Sequence, residues 1–158
     1  NSKSFMSSDY KLLIVGGVEK KFEKYYKKLI EVIKNTAGLK EKVIFLGNVE
    51  GKHKFKLYAN AYFSILLSHS ENFGNVVIES LSQGTPVIAS RGTPWKVLTE
   101  KSAGYWIDNS IESISKCFNK ILEMDLDIYQ ESRNNAYELA KKFDIYRNIG
   151  DWLRVLTN

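Results

Sequence analysis

Residues 62–90 read YFSILLSHSENFGNVVIESLSQGTPVIAS. The apolar run at 62–67 predicts a strand, the pattern over 75–83 predicts a helix, and PVIAS at 86–90 predicts another strand. Gly84 stands where a helix is expected to end. A strand, a helix and a strand within about 30 residues form a βαβ unit, in which the two strands run parallel and the crossover is right-handed.

The same alternation extends to both sides of this segment. Further strands are predicted over residues 11–15, 43–46 and 104–107. Further helices are predicted over about 18–37, 53–61, 94–100, 110–124, 127–142 and 145–156. Short apolar strands that alternate with helices indicate an α/β fold, with a parallel sheet covered by helices on both faces. We therefore predict a single Rossmann-like domain over residues 1–158, whose ligands bind at the loops beyond the carboxyl ends of the strands.

Length and charge restrict the class of protein. The chain has 158 residues, and no apolar run is long enough to span a bilayer. It begins at Asn1 without a leader pattern, and we expect it to be a piece of a longer protein. The net charge is +5, with lysines near 20–28 and 39–56. We interpret them as a solvated helix face, with attraction to phosphates or to an anionic membrane as alternatives. Without a nucleic-acid motif, we expect no nucleic-acid partner.

Few residues in the chain suit metal binding or nucleophilic chemistry. Cys117 is the one cysteine, and its apolar, helical surroundings predict a buried structural thiol rather than a nucleophile. The two histidines, His53 and His69, have no partners at the spacing of a zinc site. We therefore predict no metal site.

The loop after the strand at 62–67 is the best candidate for ligand binding. Gly74 opens the next helix, where backbone N–H groups and the helix dipole favour an anion such as a diphosphate. Asn75 and Glu79 lie four residues apart and share a helix face, whereas Val77 and Leu81 share the face expected to pack on the sheet. Glu79 is therefore predicted to point away from the core, where its carboxylate suits the two hydroxyls of a ribose.

Residues 70–90 resemble the signature of family 4 glycosyltransferases and their GT-B relatives. The signature has two glutamates separated by seven residues, here Glu71 and Glu79, with Phe73-Gly74 after the first. A Gly-x-Pro-Val-Ile strand follows at 84–88. Without the rest of the signature, Glu71 would indicate only an acidic residue that complements the helix dipole, and Glu79 only an exposed side chain. The resemblance covers about residues 10–110.

The resemblance implies the C-terminal, donor-binding half of a GT-B enzyme, in which two Rossmann-like domains enclose the active site. It also implies a role for individual side chains. The implied roles are Glu71 as the catalytic residue at the donor sugar, Phe73, Gly74 and Asn75 at the sugar and diphosphate, Glu79 at the ribose, and Val49 and Lys54 near the base.

The family further implies a reaction and its participants. The resemblance predicts transfer from a UDP- or GDP-sugar with retention of anomeric configuration, without a metal or other cofactor. The acceptor, a glycan or a lipid-linked molecule, would bind through an N-terminal domain absent from this chain. Residues 143–158 resemble the helix that crosses back to that domain. Family frequency favours bacterial surface polysaccharide or lipopolysaccharide synthesis in the cytoplasm, with peripheral attachment of the full-length protein to the inner face of the membrane.

The sequence departs from the family pattern in two places. The Gly-Arg…Lys-Gly pattern that clamps the diphosphate is not found, Lys3 is no safe substitute, and the first βα unit is missing or severely shortened. We therefore expect the isolated chain to bind donor weakly and to transfer no sugar. Trp95 replaces a commoner residue, and we expect it to pack against the protein rather than to line the sugar site.

Two alternatives stay open at this stage. One is another GT-B nucleotide-sugar enzyme, such as an epimerase, and the other is a non-catalytic nucleotide-binding module. Because both glutamates are retained, the sequence favours an enzyme.

Overall fold

The computed structural model describes residues 2–143 and has parallel strands connected by helices. The strands are β1 Leu12–Val15, β2 Val43–Gly47, β3 Ser64–Leu66, β4 Val87–Ser90 and β5 Gly104–Ile107. The helices are α1 Lys3–Ser7, α2 Glu23–Asn35, α3 Gly51–Asn60, α4 Asn75–Leu81, α5 Val97–Glu100, α6 Ile111–Leu122 and α7 Leu126–Lys141, with a 3₁₀ turn at Lys20–Phe22. The predicted α/β fold class is confirmed.

The chain divides into two compact units, and the boundary falls within α3. The N-terminal unit, residues 2–54, contains the parallel pair β1–β2. The C-terminal unit, residues 55–143, contains the parallel sheet β3–β4–β5. That the whole chain forms a single domain stays a prediction, as does the helix predicted over 145–156, which lies outside the described residues.

The sheet of the C-terminal unit is covered by helices on both faces. Strand β4 is buried at every position, and its side chains alternate between two apolar clusters. Val87 and Ala89 join the cluster that contains buried side chains of α4, α5 and α7. Ile88 joins the other cluster, to which α6 contributes Cys117 and Ile121. A parallel strand that is buried on both faces is mostly apolar, which explains Val87, Ile88 and Ala89. The polar Ser90 at its end is buried too, and its hydroxyl donates to the Ser68 carbonyl.

The N-terminal unit buries much less of its sheet. Ile14 lies opposite Phe45 in the register, and the ring of Phe45 meets Tyr26 of α2 edge-on, with ring centroids 5.3 Å apart. On the opposite face of β1, Leu13 is 42% exposed and Val15 is 44% exposed. Strand β1 is present where the sequence predicts a strand, but one of its faces is exposed, whereas the other faces α2.

Candidate functional site

The loops that follow β3 and β4, residues 67–74 and 91–95, are held to each other by hydrogen bonds. The Glu71 backbone N–H donates to the Gly92 carbonyl at 3.0 Å, and the Ser90 hydroxyl donates to the Ser68 carbonyl. From the loop after β5, the Asn109 side-chain amide donates to the Leu67 carbonyl at 2.8 Å. The carboxyl ends of all three strands thus share one bonded edge, where ligands of open α/β sheets bind.

Gly92 allows the two loops to approach closely. A Cβ atom at this position would lie 2.6 Å from the Ser68 carbonyl oxygen and would also collide with the His69 carbonyl. Both obstacles are backbone atoms, which cannot rotate away as a side chain can. The Glu71 loop therefore lies directly against the backbone of the loop after β4.

Gly74 forms the turn between the Glu71 loop and α4. Its φ of +79° lies in the left-handed region, which glycine adopts without steric cost. A Cβ here would lie 2.9 Å from Leu66 Cδ2, 3.2 Å from Glu71 Cγ and 3.4 Å from Trp95 Nε1. The turn is thus closely surrounded, and Glu71 lies beside the residue at which α4 begins.

Trp95 supports this turn from below the surface. Its side chain is 1% exposed, its indole N–H donates to the Phe73 carbonyl, and its ring lies 5.4 Å from the Phe73 ring. Phe143, at the end of the described residues, contacts both rings, tilted against Trp95 at a centroid distance of 5.2 Å and edge-on to Phe73 at 6.1 Å. The expectation that Trp95 packs rather than lines a sugar site is confirmed.

The residues predicted at the sugar and the diphosphate lie together on this turn. Glu71 is half-buried, Phe73 is 42% exposed, and Asn75, the first residue of α4, is exposed. Their closeness follows from chain connectivity and from the bonds to the neighbouring loop. Their roles in binding stay predictions.

The prediction for the faces of α4 agrees with the structure. Val77 and Leu81 are fully buried in the core, whereas Glu79 is half-buried. Glu79 meets the hydroxyl of Tyr58, a residue of α3, at 3.5 Å from its Oε2 atom. The pKa of Tyr58 is raised to about 12, first by burial and then by the charge of Glu79 and the hydrogen bond to it.

Sequence reasoning did not find Tyr58 as a partner of Glu79, because the two residues lie on different helices. The only signal was its position in the helix before β3, where the chain resembles the family at residues 57–61. A tyrosine in a half-buried helical position is more commonly interpreted as a packing residue.

Val49 and Lys54, predicted near the base, both belong to the N-terminal unit. Val49 lies in the loop between β2 and α3, and Lys54 lies on α3; both side chains are half-buried. Their role at the nucleotide base stays a prediction.

The loop after β4 also supplies a basic side chain, Arg91. Its guanidinium lies 3.3 Å from the carboxylate of Asp108 and 5.6 Å from the centre of the Trp106 ring. Both members of the ion pair are more than half exposed, so the pair contributes at most about 1 kcal/mol to stability. The arginine is thus held in place beside the Glu71 loop without being removed from solvent.

The other groups considered in the sequence have no catalytic setting. Cys117 is buried, and burial raises the pKa of its thiol to about 11, so the predicted structural thiol is confirmed. Within residues 2–143, no group of histidine, cysteine and acidic side chains could hold a metal ion. No helix in that range is long and apolar enough to cross a membrane.

Comparison with solved structures shows the fold. The chain matches Anabaena Alr3699/HepE, crystallised with UDP and glucose, at a TM-score of 0.81 and 24% identity, over 93% of this chain and 40% of that one. It matches WaaG, a glycosyltransferase involved in lipopolysaccharide biosynthesis, at a TM-score of 0.68 and 21% identity, over 91% of this chain and 39% of that one. Both are GT-B enzymes.

Sequence comparison gives relatives with named activities. The uncharacterized glycosyltransferase MJ1607 of Methanocaldococcus jannaschii is 32% identical over 111 residues, which cover 69% of this chain and 27% of that protein. The O-antigen chain mannosyltransferase RfbU of Salmonella typhimurium is 29% identical over 153 residues, which cover 96% of this chain and 41% of that protein.

The chain spans about a quarter of the length of the first curated relatives it matches. The family model of the group 1 glycosyl transferases matches residues 2–143, which is nearly all of the chain and the whole of its described part. The Rossmann-like units and the loops at the ends of their strands are therefore those of a GT-B enzyme, and the chain belongs to the group 1 glycosyl transferases.

Proposed function

We propose that this chain is the donor-binding part of a retaining glycosyltransferase that uses a nucleotide sugar. The observation that carries the proposal is the short segment from Glu71 to Glu79. One carboxylate precedes the Gly74 turn and the other lies on α4, and the turn is fixed by Trp95 and by the loop after β4. Membership of the group 1 family supplies the class of reaction.

Each part of the segment suits one part of the donor. Glu71 accepts hydrogen bonds from hydroxyls of the donor sugar, and Phe73, Gly74 and Asn75 line the sugar and the diphosphate. Glu79 accepts hydrogen bonds from the ribose, and Val49 and Lys54 contact the base. The UDP present in the crystals of Alr3699/HepE supports a nucleoside diphosphate as the ligand class, and UDP- or GDP-sugars are the donors to test.

In the proposed reaction, the bond between the anomeric carbon and the diphosphate oxygen breaks while the acceptor oxygen bonds to the same face of that carbon. The acceptor's proton passes to the departing diphosphate, so charge and atoms balance and the anomeric configuration is retained. Backbone N–H groups and basic side chains such as Arg91 stabilise the negative charge on the diphosphate, which is the role that a metal ion has in other enzymes. We propose a reaction without metal or cofactor on these grounds.

The biological setting belongs to the same proposal. The names of RfbU and WaaG refer to O-antigen and lipopolysaccharide synthesis, and they support a role in bacterial surface polysaccharide synthesis. We propose a cytoplasmic enzyme whose full-length form attaches to the inner face of the membrane and binds a glycan or lipid-linked acceptor through another domain. The isolated chain is expected to bind donor weakly and to transfer nothing.

Glu71→Gln tests the proposal in the intact protein. The change keeps the shape of the side chain but removes its charge, so transfer should fall about 100-fold or more, since the loss of one preorganised electrostatic group at a reacting centre costs a factor of about that size. The donor is first chosen by thermal shift with UDP, GDP and ADP and their sugars, because a ligand that binds only the folded state raises the melting temperature.

The control is Glu131→Gln on α7, an exposed carboxylate in the same unit, which should leave transfer unchanged. Normal transfer by Glu71→Gln would contradict the role of Glu71. Interconversion of the donor sugar without an acceptor would show an epimerase. Nucleotide binding by the intact wild-type protein, without either reaction, would show a non-catalytic module.

A further inference from the structure

Tyr58 is joined to the structure around Glu79 at two points. Its hydroxyl lies 3.5 Å from Glu79 Oε2, and its backbone carbonyl accepts a hydrogen bond of 2.6 Å from the Thr85 hydroxyl. The Thr85 carbonyl in turn accepts a hydrogen bond of 3.1 Å from the Ser80 hydroxyl. Helix α3, helix α4 and the start of β4 are thus bonded together around one carboxylate.

The two hydroxyl side chains that donate these bonds, Thr85 and Ser80, are buried, although the Tyr58 carbonyl is only partly so. Thr85 and Ser80 are both 0% exposed, and a buried hydrogen bond that is broken leaves polar groups without solvent. The backbone of Tyr58 is therefore fixed relative to the connection between α4 and β4. The hydroxyl of Tyr58 therefore extends to Glu79 from a backbone that is held by bonds other than the one to Glu79.

The protonation state of Tyr58 suits a hydrogen-bond donor. With its pKa raised to about 12, the phenol keeps its proton at every physiological pH. An ionised carboxylate has about four acceptor positions, so it can accept a bond from a tyrosine hydroxyl and bonds from two neighbouring hydroxyls of a ligand at the same time. A donor of this kind restricts the rotation of the carboxylate that it binds.

We propose that Tyr58 is a positioning residue, which orients Glu79 so that its carboxylate receives the 2′- and 3′-hydroxyls of the donor's ribose. Tyr58 thereby makes the site prefer a ribonucleotide to its dideoxy counterpart. The inference rests on the ribose role proposed for Glu79.

Tyr58→Phe provides the test, because it removes the hydroxyl and keeps both the ring and the carbonyl that Thr85 binds. The intact protein is titrated by calorimetry with whichever of UDP, GDP and ADP raises its melting temperature most, and with the 2′,3′-dideoxy form of that nucleotide. We expect Tyr58→Phe to weaken binding of the ribonucleotide about 3- to 10-fold, as the loss of an ordinary hydrogen bond does. Binding of the dideoxy form should not change.

Two variants accompany the test. Tyr137→Phe on α7 is the matched control, since Tyr137 is 51% exposed and lies beside Lys141 rather than a carboxylate, and it should keep the ribose preference. Glu79→Gln should abolish that preference. If Glu79→Gln abolishes it and Tyr58→Phe keeps it in full, the inference about Tyr58 is overturned while the role of Glu79 stands.

Two further results would overturn the inference. Equal weakening of the ribonucleotide and the dideoxy form by Tyr58→Phe would show a merely structural role. A wild-type protein without ribose preference, or one whose preference survives Glu79→Gln, would overturn the role of Glu79 and the inference with it.

Discussion

At the scale of single residues, Gly74 is restricted both by its backbone conformation and by its neighbours. Its φ is +79°, and the space where a Cβ would lie is occupied by Leu66 and Glu71. Gly84 has a similar φ of +68°, but a Cβ there would meet its nearest neighbour, the Arg133 carbonyl, at an ordinary 3.6 Å. Alanine substitutions at the two glycines can therefore be compared to separate the free-energy cost of the left-handed conformation from that of steric crowding.

Gly74→Ala should lower the free energy of unfolding by about 2–5 kcal/mol, since left-handed strain costs about 1–2 kcal/mol and crowding a packed site adds about 1–3 kcal/mol. Gly84→Ala should cost only about 1–2 kcal/mol. Urea denaturation of both variants measures the difference. Equal losses would contradict the crowding deduced at Gly74.

The individual residues show which contacts a sequence can predict. The period of a helix is local information, and it predicts that Val77 and Leu81 are buried and that Asn75 is not. The contact between Tyr58 and Glu79 depends on how α3 lies beside α4, and no periodicity contains that. The sequence therefore predicted the carboxylate but not the phenol that binds it.

At the scale of elements, the loops after β3 and β4 are joined through Trp95. The indole reaches from the second loop to the Phe73 carbonyl of the first, and the Gly92 carbonyl accepts the Glu71 amide. Removal of the indole donor should let the first loop separate from the second. Trp106, on β5, offers a contrast. Its indole N–H donates to the Thr93 carbonyl of the second loop and not to the first loop.

Trp95→Phe should therefore speed hydrogen exchange at the Glu71 amide about tenfold, since a lost hydrogen bond and the smaller ring together weaken local closure by about 1.4 kcal/mol or more. Trp106→Phe should leave that amide unchanged. Exchange measured residue by residue by NMR checks both. A Glu71 amide that exchanges at the wild-type rate in Trp95→Phe would show that the loops are held by other contacts.

The positions of most elements follow from their patterns, and the exceptions have physical causes. Helix α5 begins at Val97 rather than Pro94, because the preceding residues are held outside the helix: Thr93 bonds back to Ser90, and Trp95 bonds to the Phe73 carbonyl. Helix α1 at Lys3–Ser7 was not predicted; it is short, and it is capped by the Ser2 side-chain oxygen, which accepts a hydrogen bond from the Phe5 amide. Strand β1 is exposed on one face, since burial depends on neighbours that a strand's own sequence does not specify.

At the scale of the whole molecule, burial is distributed unequally between the two units. In residues 2–54 the buried side chains are Ser2 and Ile33, whereas the core of the C-terminal unit surrounds both faces of its sheet. Helices α2 and α7 show the difference in elements of similar length. Helix α2 buries one residue, and α7 buries five.

Helix α2 should therefore open more easily than α7, because each buried apolar side chain stabilises the folded state by about 1.5–3 kcal/mol. Hydrogen exchange followed by mass spectrometry should show backbone amides of residues 26–35 exchanging at least about tenfold faster than those of 130–141. Equal protection of the two helices would mean that α2 gains stability from more than the burial of Ile33.

The fold class could be predicted at this scale, and so could the meeting of the loops after β3, β4 and β5 at one edge, because alternating strands and helices bring the ends of parallel strands together. That a ligand binds at this edge stays a prediction. The grouping of the chain into units could not be predicted, since it depends on how many contacts each segment makes after folding. Val49 and Lys54 illustrate this limit. Their roles were assigned by resemblance, and they belong to a different unit from Glu71 and Glu79.

The contact at Gly92 also affects how such a site can be redesigned. Two loops that touch backbone to backbone cannot be exchanged separately, because a loop of another length or path would meet the carbonyls of Ser68 and His69. Grafting a relative's 68–74 loop to obtain a new sugar preference would therefore require its 91–95 loop as well. The two loops therefore form one unit of exchange in protein engineering.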